Sequence, residues 1–379
     1  MYKRFSFSMR GEVTFGAGCM KELPAKVSAR HLKRVLLMAD PALEQQRKNV
    51  ERMLSGNGID FTVFIDIEAD PSTRTVAKAV KCFTENQCEG IVALGGGSAM
   101  DAAKAAALVA INGGKIEDYE RPNNQCQVAP IFAIPTTAGT GSEVSRVAVI
   151  TDNNKFKMVI GGNNLVPEYA LLDPEAITTL PASITASSGM DALIHAVEAY
   201  LSLTGNVFTD CMAEKALQLI GRSLRAFVAN RRNLEAAEDM LLGSMFAGVA
   251  QSLARPGNTH ALSHALSGLF HIPHGVANAV LFPHVLEFNA LSDTGKYKKI
   301  YSLIKPGAAS GNRFEPEMLI DEARKLNKEL GIPNNLSELG VTKDDIPRLL
   351  ADTLRSTLFE INPRQTTPQD VEQLYLRAL

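Results

Sequence analysis

The sequence contains no run of 18 apolar residues able to span a membrane. Its N-terminus, MYKRFSFSMRGEVTFGAG, alternates polar and apolar residues and lacks the continuous apolar stretch of a secretory signal. The expected location is therefore the cytoplasm. Excess charge is missing too: 39 Lys and Arg against 41 Asp and Glu leave a formal net charge of -2, with no electrostatic footprint for nucleic acid or acidic membranes. Cysteine is sparse. Cys19, Cys82, Cys88, Cys126 and Cys211 are odd in number, scattered and without CxxC spacing, which argues against a disulfide framework and against a thiolate zinc site. They read as reduced core residues. No internal repeat or low-complexity tract is present. Histidine is scarce as well, yet four of the seven histidines fall within HALSHALSGLFHIPHG, residues 260–275.

A chain of 379 residues exceeds what one hydrophobic core usually supports, so two domains are expected. Hydrophobic residues at 45% and charged residues at 21% are globular values. In the first half, short apolar runs alternate with helical patterns: VLLMAD (35–40), FTVFID (61–66), IVALGGG (91–97) and PIFAIPTT (130–137). Apolar strands followed by helices predict an α/β domain with a parallel sheet covered on both faces. Ligands of such sheets sit beyond the carboxyl ends of the strands. From about Pro181, long amphipathic patterns such as TDCMAEKALQLIGRSLRAFVANR and DVEQLYLRAL replace the strands. The predicted division is an α/β domain over 1–180 and an all-helical domain over 181–379, the boundary lying near LLDPEAITTLPAS.

Two loops at strand ends stand out. ALGGGSAMDAAKAAALVA places Gly95, Gly96, Gly97 and Ser98 between a strand and a helix, where backbone N–H groups can face a pyrophosphate and the missing side chains allow its close approach. The loop is neither GxGxxG nor a Walker loop, and a glycine-rich turn can be a turn only. PTTAGTGSEVS (135–145) is a second loop of small and hydroxyl residues, and two such loops in one sheet suit a long ligand carrying several phosphates or hydroxyls. Asp40 ends the first strong strand. There a carboxylate can accept from both ribose hydroxyls and repel a 2′-phosphate, which selects NAD over NADP; alternatively, before Pro41, it caps a turn or helix.

The histidines form a pattern of their own. In SSGMDALIHAVEAYLS, Asp191 and His195 stand four residues apart on one helix face. His260 and His264 repeat that spacing, and Pro273 breaks the helix so that His274 falls on a following turn. One aspartate and three histidines can thus converge, although spacing alone does not select which histidines bind; His31, His271 and His284 read as surface residues. Nitrogen and oxygen donors without thiolate suit Fe²⁺, Zn²⁺, Mn²⁺ or Co²⁺, and four protein ligands with an open position make a catalytic rather than a structural site.

FGAG, GGGSAMDAAK, PTTAGTGSEVS, GMDALIHAVEAY and HALSHALSGLFHIPHGVANAVLFPHV, in this order over essentially the whole chain, resemble the iron-containing (group III) alcohol dehydrogenase family. That resemblance implies the dehydroquinate synthase-like fold, with a Rossmann-like NAD-binding domain and an all-α domain flanking the catalytic cleft. It implies Asp191, His195, His260 and His274 as metal ligands and His264 beside the reacting centre without binding metal. It further implies that Gly95, Gly96, Gly97 and Ser98 hold the pyrophosphate, that Asp40 selects NAD, that Thr136 and Thr137 contact the cofactor, and that Lys157 lies near the nicotinamide. The implied cofactors are NAD(H) and a divalent metal, iron first and zinc as the alternative. The implied reaction is hydride transfer between nicotinamide C4 and a short-chain primary alcohol or aldehyde whose oxygen is polarised by the metal. His264 relays the proton, because an imidazole titrates near working pH. A homodimer acting on a small molecule is also implied, without nucleic acid or membrane partners.

One stretch departs from the family. Where many relatives carry FSNAGLG, this chain has QSLARPG, so Gln251 replaces a phenylalanine and Arg255 a small residue. Together with Arg146 they predict a more polar substrate pocket and a substrate with a polar or anionic group. The rival readings are a dehydroquinate synthase-like lyase and a non-catalytic metal- and nucleotide-binding sensor.

Overall fold

Val35 to Ala39 have no solvent exposure at all, which an uninterrupted apolar run achieves only as a strand covered on both faces. In the computed structural model, which describes residues 4–8, 10–120, 123–305, 307 and 314–379, this run is the second strand of a six-stranded parallel sheet. The strands are β1 (Glu12–Phe15), β2 (Arg34–Ala39), β3 (Asp60–Phe64), β4 (Gly90–Gly95), β5 (Ile131–Pro135) and β8 (Tyr169–Leu172), in the order β1-β8-β5-β4-β2-β3. Between β5 and β8, β6 (Val147–Thr151) and β7 (Lys157–Gly161) form a separate antiparallel hairpin. The alternating N-terminal residues supply β1, which pairs with β8 at the sheet edge. Helices α1 (Leu23–Ala29), α2 (Glu44–Ser55), α3 (Thr73–Glu85) and α4 (Gly97–Asn112) complete this part.

The chain runs outward from β2 to β3 and then returns past β2 to β4, so the order reverses between β2 and β4. A crevice opens at such a reversal, outside the carboxyl ends of the two strands. Register places Ala39 opposite Leu94 and Gly95 opposite Pro135. The residues that follow each strand, Asp40, Gly96 and Thr136, therefore emerge side by side.

The helical part comprises α5 (Ala182–Leu201), α6 (Val207–Ala229), α7 (Leu234–Ala254), α8 (Asn258–Phe270), α9 (His274–Asn289), α10 (Lys296–Ile304), α11 (Pro316–Glu329), α12 (Ile346–Thr353) and α13 (Pro368–Ala378). Local sequence sets several of these ends. Asn206 and Thr209 form a capping box at the start of α6, and Thr367 and Asp370 form another at α13, where Pro368 fits the first helical position. α5 is different: it is apolar almost all round and buried from Gly189 to Leu201, as a helix through a core must be. Whatever polar groups it carries are drawn inside with it.

By internal contacts, one unit holds Ser6–Thr137 and Gly141–Thr179. The other holds Ala138–Thr140, Leu180–Leu379 and the N-terminal residues as far as Phe5. No helix among the described residues is long and apolar enough to cross a membrane.

Three expectations need correction. His274 does not lie on a turn: it is the first residue of α9, because left-handed His271 closes α8 at Phe270 and Pro273 is the N-cap from which the next helix starts. Cys211 is exposed, on the outer face of α6, rather than in the core. His284 is half-buried within α9, and burial lowers its pKa, so it is not a surface histidine; His31 and His271 are exposed.

Candidate metal centre and nucleotide-binding loops

The four-residue spacing places Asp191 and His195 on one face of α5, and the burial of that helix makes them core residues at 2% and 5% exposure. Two further histidines arrive from α8 and from the first residue of α9. Candidate donor atoms of Asp191, His195 and His260 lie within 4.8 Å of one another. Asp191 Oδ1 is 3.6 Å from His260 Nε2 and 3.7 Å from His274 Nε2, and Oδ2 is 3.7 Å from His195 Nδ1. The rings of His195 and His260 stack with centroids 4.4 Å apart. His264 stands beside this group, its ring centroid 5.6 Å from that of His274 and 6.5 Å from that of His260.

A close backbone approach brings α9 within reach. A Cβ on Gly275 would lie 2.3 Å from the carbonyl oxygen of Ser187 in α5, a distance no side-chain movement relieves. Only glycine lets the residue after His274 touch α5 there.

Electrostatics prepare the cluster for a cation. Burial pushes the Asp191 carboxyl up, but His195, His260 and His274 overcome it and hold the group well below the usual carboxylate range. Burial pushes His195 down to about 4 despite the pull of Asp191, so its ring is a neutral donor. Burial also works against protonation of His260, yet the nearby Asp191 carboxylate and the hydrogen bond to Glu198 raise it to about 9. His195 Nδ1 is buried without a hydrogen-bond partner, which is costly for a polar atom unless something else engages it. One carboxylate oxygen and imidazole nitrogens around an orphaned donor are the ligand set of a divalent transition metal, and the residues fit that group.

Two residues absent from the sequence reading complete the cluster. Asn278 donates from Nδ2 to Asp191 Oδ1 at 2.7 Å, with His260 Nε2 and His274 Nε2 at 3.2 and 3.1 Å. Glu198 accepts from His260 Nδ1 at 2.7 Å. Glu198 stands seven residues after Asp191 in DALIHAVE, a phase that repeats the Asp191 face, so its signal was present in the sequence. Asn278 is four residues after His274 and becomes visible only once His274 begins a helix.

The loops at the sheet reversal meet closely. A Cβ on Gly95 would lie 3.4 Å from Asp40 Cβ, and one on Gly96 would lie 3.1 Å from Thr137 Cγ2 and Oγ1. Thr136 donates its backbone N–H to Gly95 O at 3.0 Å. Gly96 is the N-cap of the sixteen-residue helix α4, with Gly97 and Ser98 in its half-buried first turn. These backbone groups can bind an anion. Asp40 accepts from Ala42 N at 2.9 Å, so it does cap the short helical turn at Pro41–Leu43. That bond engages Oδ1 and is compatible with a ligand on the other oxygen. Lys157 is buried and ion-paired with Asp70, a residue held in left-handed backbone at φ 55 that the sequence reading also passed over. Asp70 donates its N–H to Ser98 Oγ at 3.3 Å, linking two of the candidate cofactor residues.

The three substrate candidates are divided between the two units. Arg146 lies in the sheet-containing unit, just before β6. Gln251 is half-buried in the last turn of α7. Arg255 follows it at φ 62 and donates to Thr357 Oγ1 at 2.8 Å, so its guanidinium is already engaged.

Comparison with known proteins extends over both units. Residues 11–174 match the family model for iron-containing alcohol dehydrogenase, and residues 185–379 match its C-terminal model. An NAD-dependent methanol dehydrogenase from Bacillus methanolicus is 36% identical over 369 residues, covering 96% of this chain and 97% of that protein. The crystal structure of a 1,3-propanediol oxidoreductase aligns over 100% of both chains at a TM-score of 0.95 and 34% identity. That of a sulfoacetaldehyde reductase from Bifidobacterium kashiwanohense in complex with NAD+ covers 99% of each chain at a TM-score of 0.89 and 29% identity. With its carboxylate and histidines carried on matched sequence from one end to the other, the chain belongs to the iron-containing alcohol dehydrogenase family.

Proposed function

We propose that this chain is a metal-dependent NAD(H) alcohol dehydrogenase and aldehyde reductase acting on short-chain primary alcohols or aldehydes. The observation that carries it is the convergence of Asp191, His195, His260 and His274 around a buried, unpartnered imidazole nitrogen. In this reading the helical unit holds the metal and the sheet-containing unit holds NAD(H), in a cytoplasmic homodimer. Iron is the first candidate and zinc the second. When bound, the metal polarises the substrate oxygen as a Lewis acid and the nicotinamide accepts or supplies the hydride.

The chain's own residues do the remaining work. Asp191 brings negative charge, and His195, His260 and His274 bring ring nitrogens from three helices. The Gly95–Ser98 turn and the start of α4 receive the pyrophosphate, while Thr136, Thr137 and Lys157 line the same loops. The Asp40 carboxylate favours a free 2′-hydroxyl. His264 carries the proton between substrate and solvent. Replacing it, His264→Ala, leaves metal content unchanged and lowers kcat with an altered pH profile; an unchanged rate and profile would remove it from the mechanism.

Gln251 and Arg255 favour a substrate with a polar or anionic group, and a reductase for one such aldehyde is among the similar structures. The deciding experiment is a matrix. Apo protein is reloaded with Fe²⁺, Zn²⁺, Mn²⁺ or Co²⁺ without oxygen, and NADH consumption is followed with neutral and anionic short aldehydes. Turnover with one metal supports the dehydrogenase, and no NADH oxidation in any combination overturns it. Ethanol or butanol exceeding every charged analogue in kcat/KM, measured in the alcohol direction, removes the anionic class.

A further inference from the structure

Glu198 lies on the buried face of α5 and is 5% exposed. An ionised carboxylate there needs several donors, and Glu198 has three. Oε2 accepts from His260 Nδ1 at 2.7 Å and from the backbone N–H of Gly257 at 2.9 Å. Oε1 accepts from the backbone N–H of Thr259 at 2.7 Å. Gly257 is the N-cap of α8, and Thr259 and His260 are its second and third residues. The carboxylate therefore meets two N–H groups that the first turn of a helix leaves without intrahelical partners, and the ring that the same turn projects. A side chain on Gly257 would crowd this arrangement, with Glu198 Oε1 at 3.4 Å and Asn362 Oδ1 at 3.0 Å from its Cβ.

We propose that Glu198 is a positioning residue of the metal centre: by accepting the Nδ1–H of His260 it fixes that tautomer and turns Nε2 toward Asp191 as a free electron pair. An imidazole has one proton to place when neutral, and a carboxylate on Nδ1 decides which nitrogen can bind a metal. Because the same two oxygens hold the first turn of α8, ring rotation and helix position are set together. The inference rests on the metal-centre reading above.

A helix cap alone would also explain the two backbone contacts, so the test reads what a cap does not control. Zn²⁺ and Co²⁺ affinities of wild type, E198Q and D191N are measured by chelator competition, with the Co²⁺ absorption spectrum and apo melting temperature recorded alongside. Loss of an outer partner of a metal-binding histidine costs about 10–100-fold in affinity. E198Q is expected to lose affinity by that factor and to shift the Co²⁺ spectrum while the apo protein remains folded. Affinity and spectrum equal to wild type in E198Q, with D191N impaired, overturn the role of Glu198 and leave the metal centre standing. Absence of one bound metal per wild-type chain overturns both. Should E198Q not fold, histidine ¹⁵N NMR of the wild-type apo protein above pH 9, where the His260 ring is neutral, decides: a proton resident on Nδ1 of His260 is expected, and residence on Nε2 alone overturns the proposal.

Discussion

Both units of the chain bury carboxylates, and two in each unit are shifted in opposite directions. Burial pushes all four of Asp191, Glu198, Asp101 and Glu143 toward protonation. In the helical unit, histidines and N–H groups overcome it, and Asp191 and Glu198 are held below the ordinary carboxylate range. In the sheet-containing unit the buried Lys104 ammonium, Ser142 and the N–H of Val149 do not suffice for Asp101, which stays raised. Glu143 is raised to about 7, and its Oε1 has no hydrogen-bond partner. The groups that face each carboxylate, not its depth, decide the direction in which its pKa moves. The loops at the sheet reversal follow a third course, offering backbone N–H groups and the spaces left by absent side chains.

Glycine substitutions put the sharpest strain on this contrast. Gly275→Ala forces a Cβ against the Ser187 carbonyl, so α9 must move away from α5 and take His274 with it. Overpacking against backbone costs about 3 kcal/mol. The expected result is metal affinity reduced by more than about 100-fold, which by itself corresponds to about 3 kcal/mol, measured by chelator competition, with NAD(H) binding retained. Equal metal affinity would show that His274 is not drawn to the centre by that close approach.

A second test reverses a charge state. The folded chain binds the Glu143 proton more tightly than an ordinary glutamate with pKa 4.5, so stability declines as pH climbs from about 4.5 through about 7, and above that range the loss is complete. Glu143→Gln removes the titration. Chemical denaturation at pH 5 and pH 8 is expected to find the variant's advantage only at pH 8, at up to about 3 kcal/mol. An advantage of the same size at both pH values would mean that Glu143 is not held toward neutrality by burial.

The smallest effect belongs to the loops. The Cβ of Gly96→Ala meets only the movable side chain of Thr137. About a tenfold loss of NAD(H) affinity, roughly 1.4 kcal/mol by calorimetry, is expected with metal binding unchanged. Unchanged NAD(H) affinity would remove this turn from the cofactor site.

The sequence carried the strands β2 to β5, the α5 helix and the phase of its acids, because periodicity and burial act locally. It also carried the i, i+4 pairs Asp191–His195 and His260–His264. It did not carry the pairing of β1 with β8, whose register depends on partners more than 150 residues apart. Nor did it carry the β6–β7 hairpin, although DNNK between two apolar runs is a turn signal. Asp70 had no local signature, since its left-handed backbone and its ion pair with Lys157 are both set by tertiary contact.

The β1–β8 pairing has a consequence for the order in which the chain matures on the ribosome. β8 lies between β5 and β1, so until residues 169–172 have emerged the inner strand β5 lacks a neighbour and β1 has nothing to join. Each exposes a row of unpaired backbone groups for that interval. A nascent chain stalled or cleaved before Tyr169 thus leaves one side of β5 open and β1 unpaired. The four residues of β8 therefore decide when β5 gains its second neighbour and β1 joins the sheet.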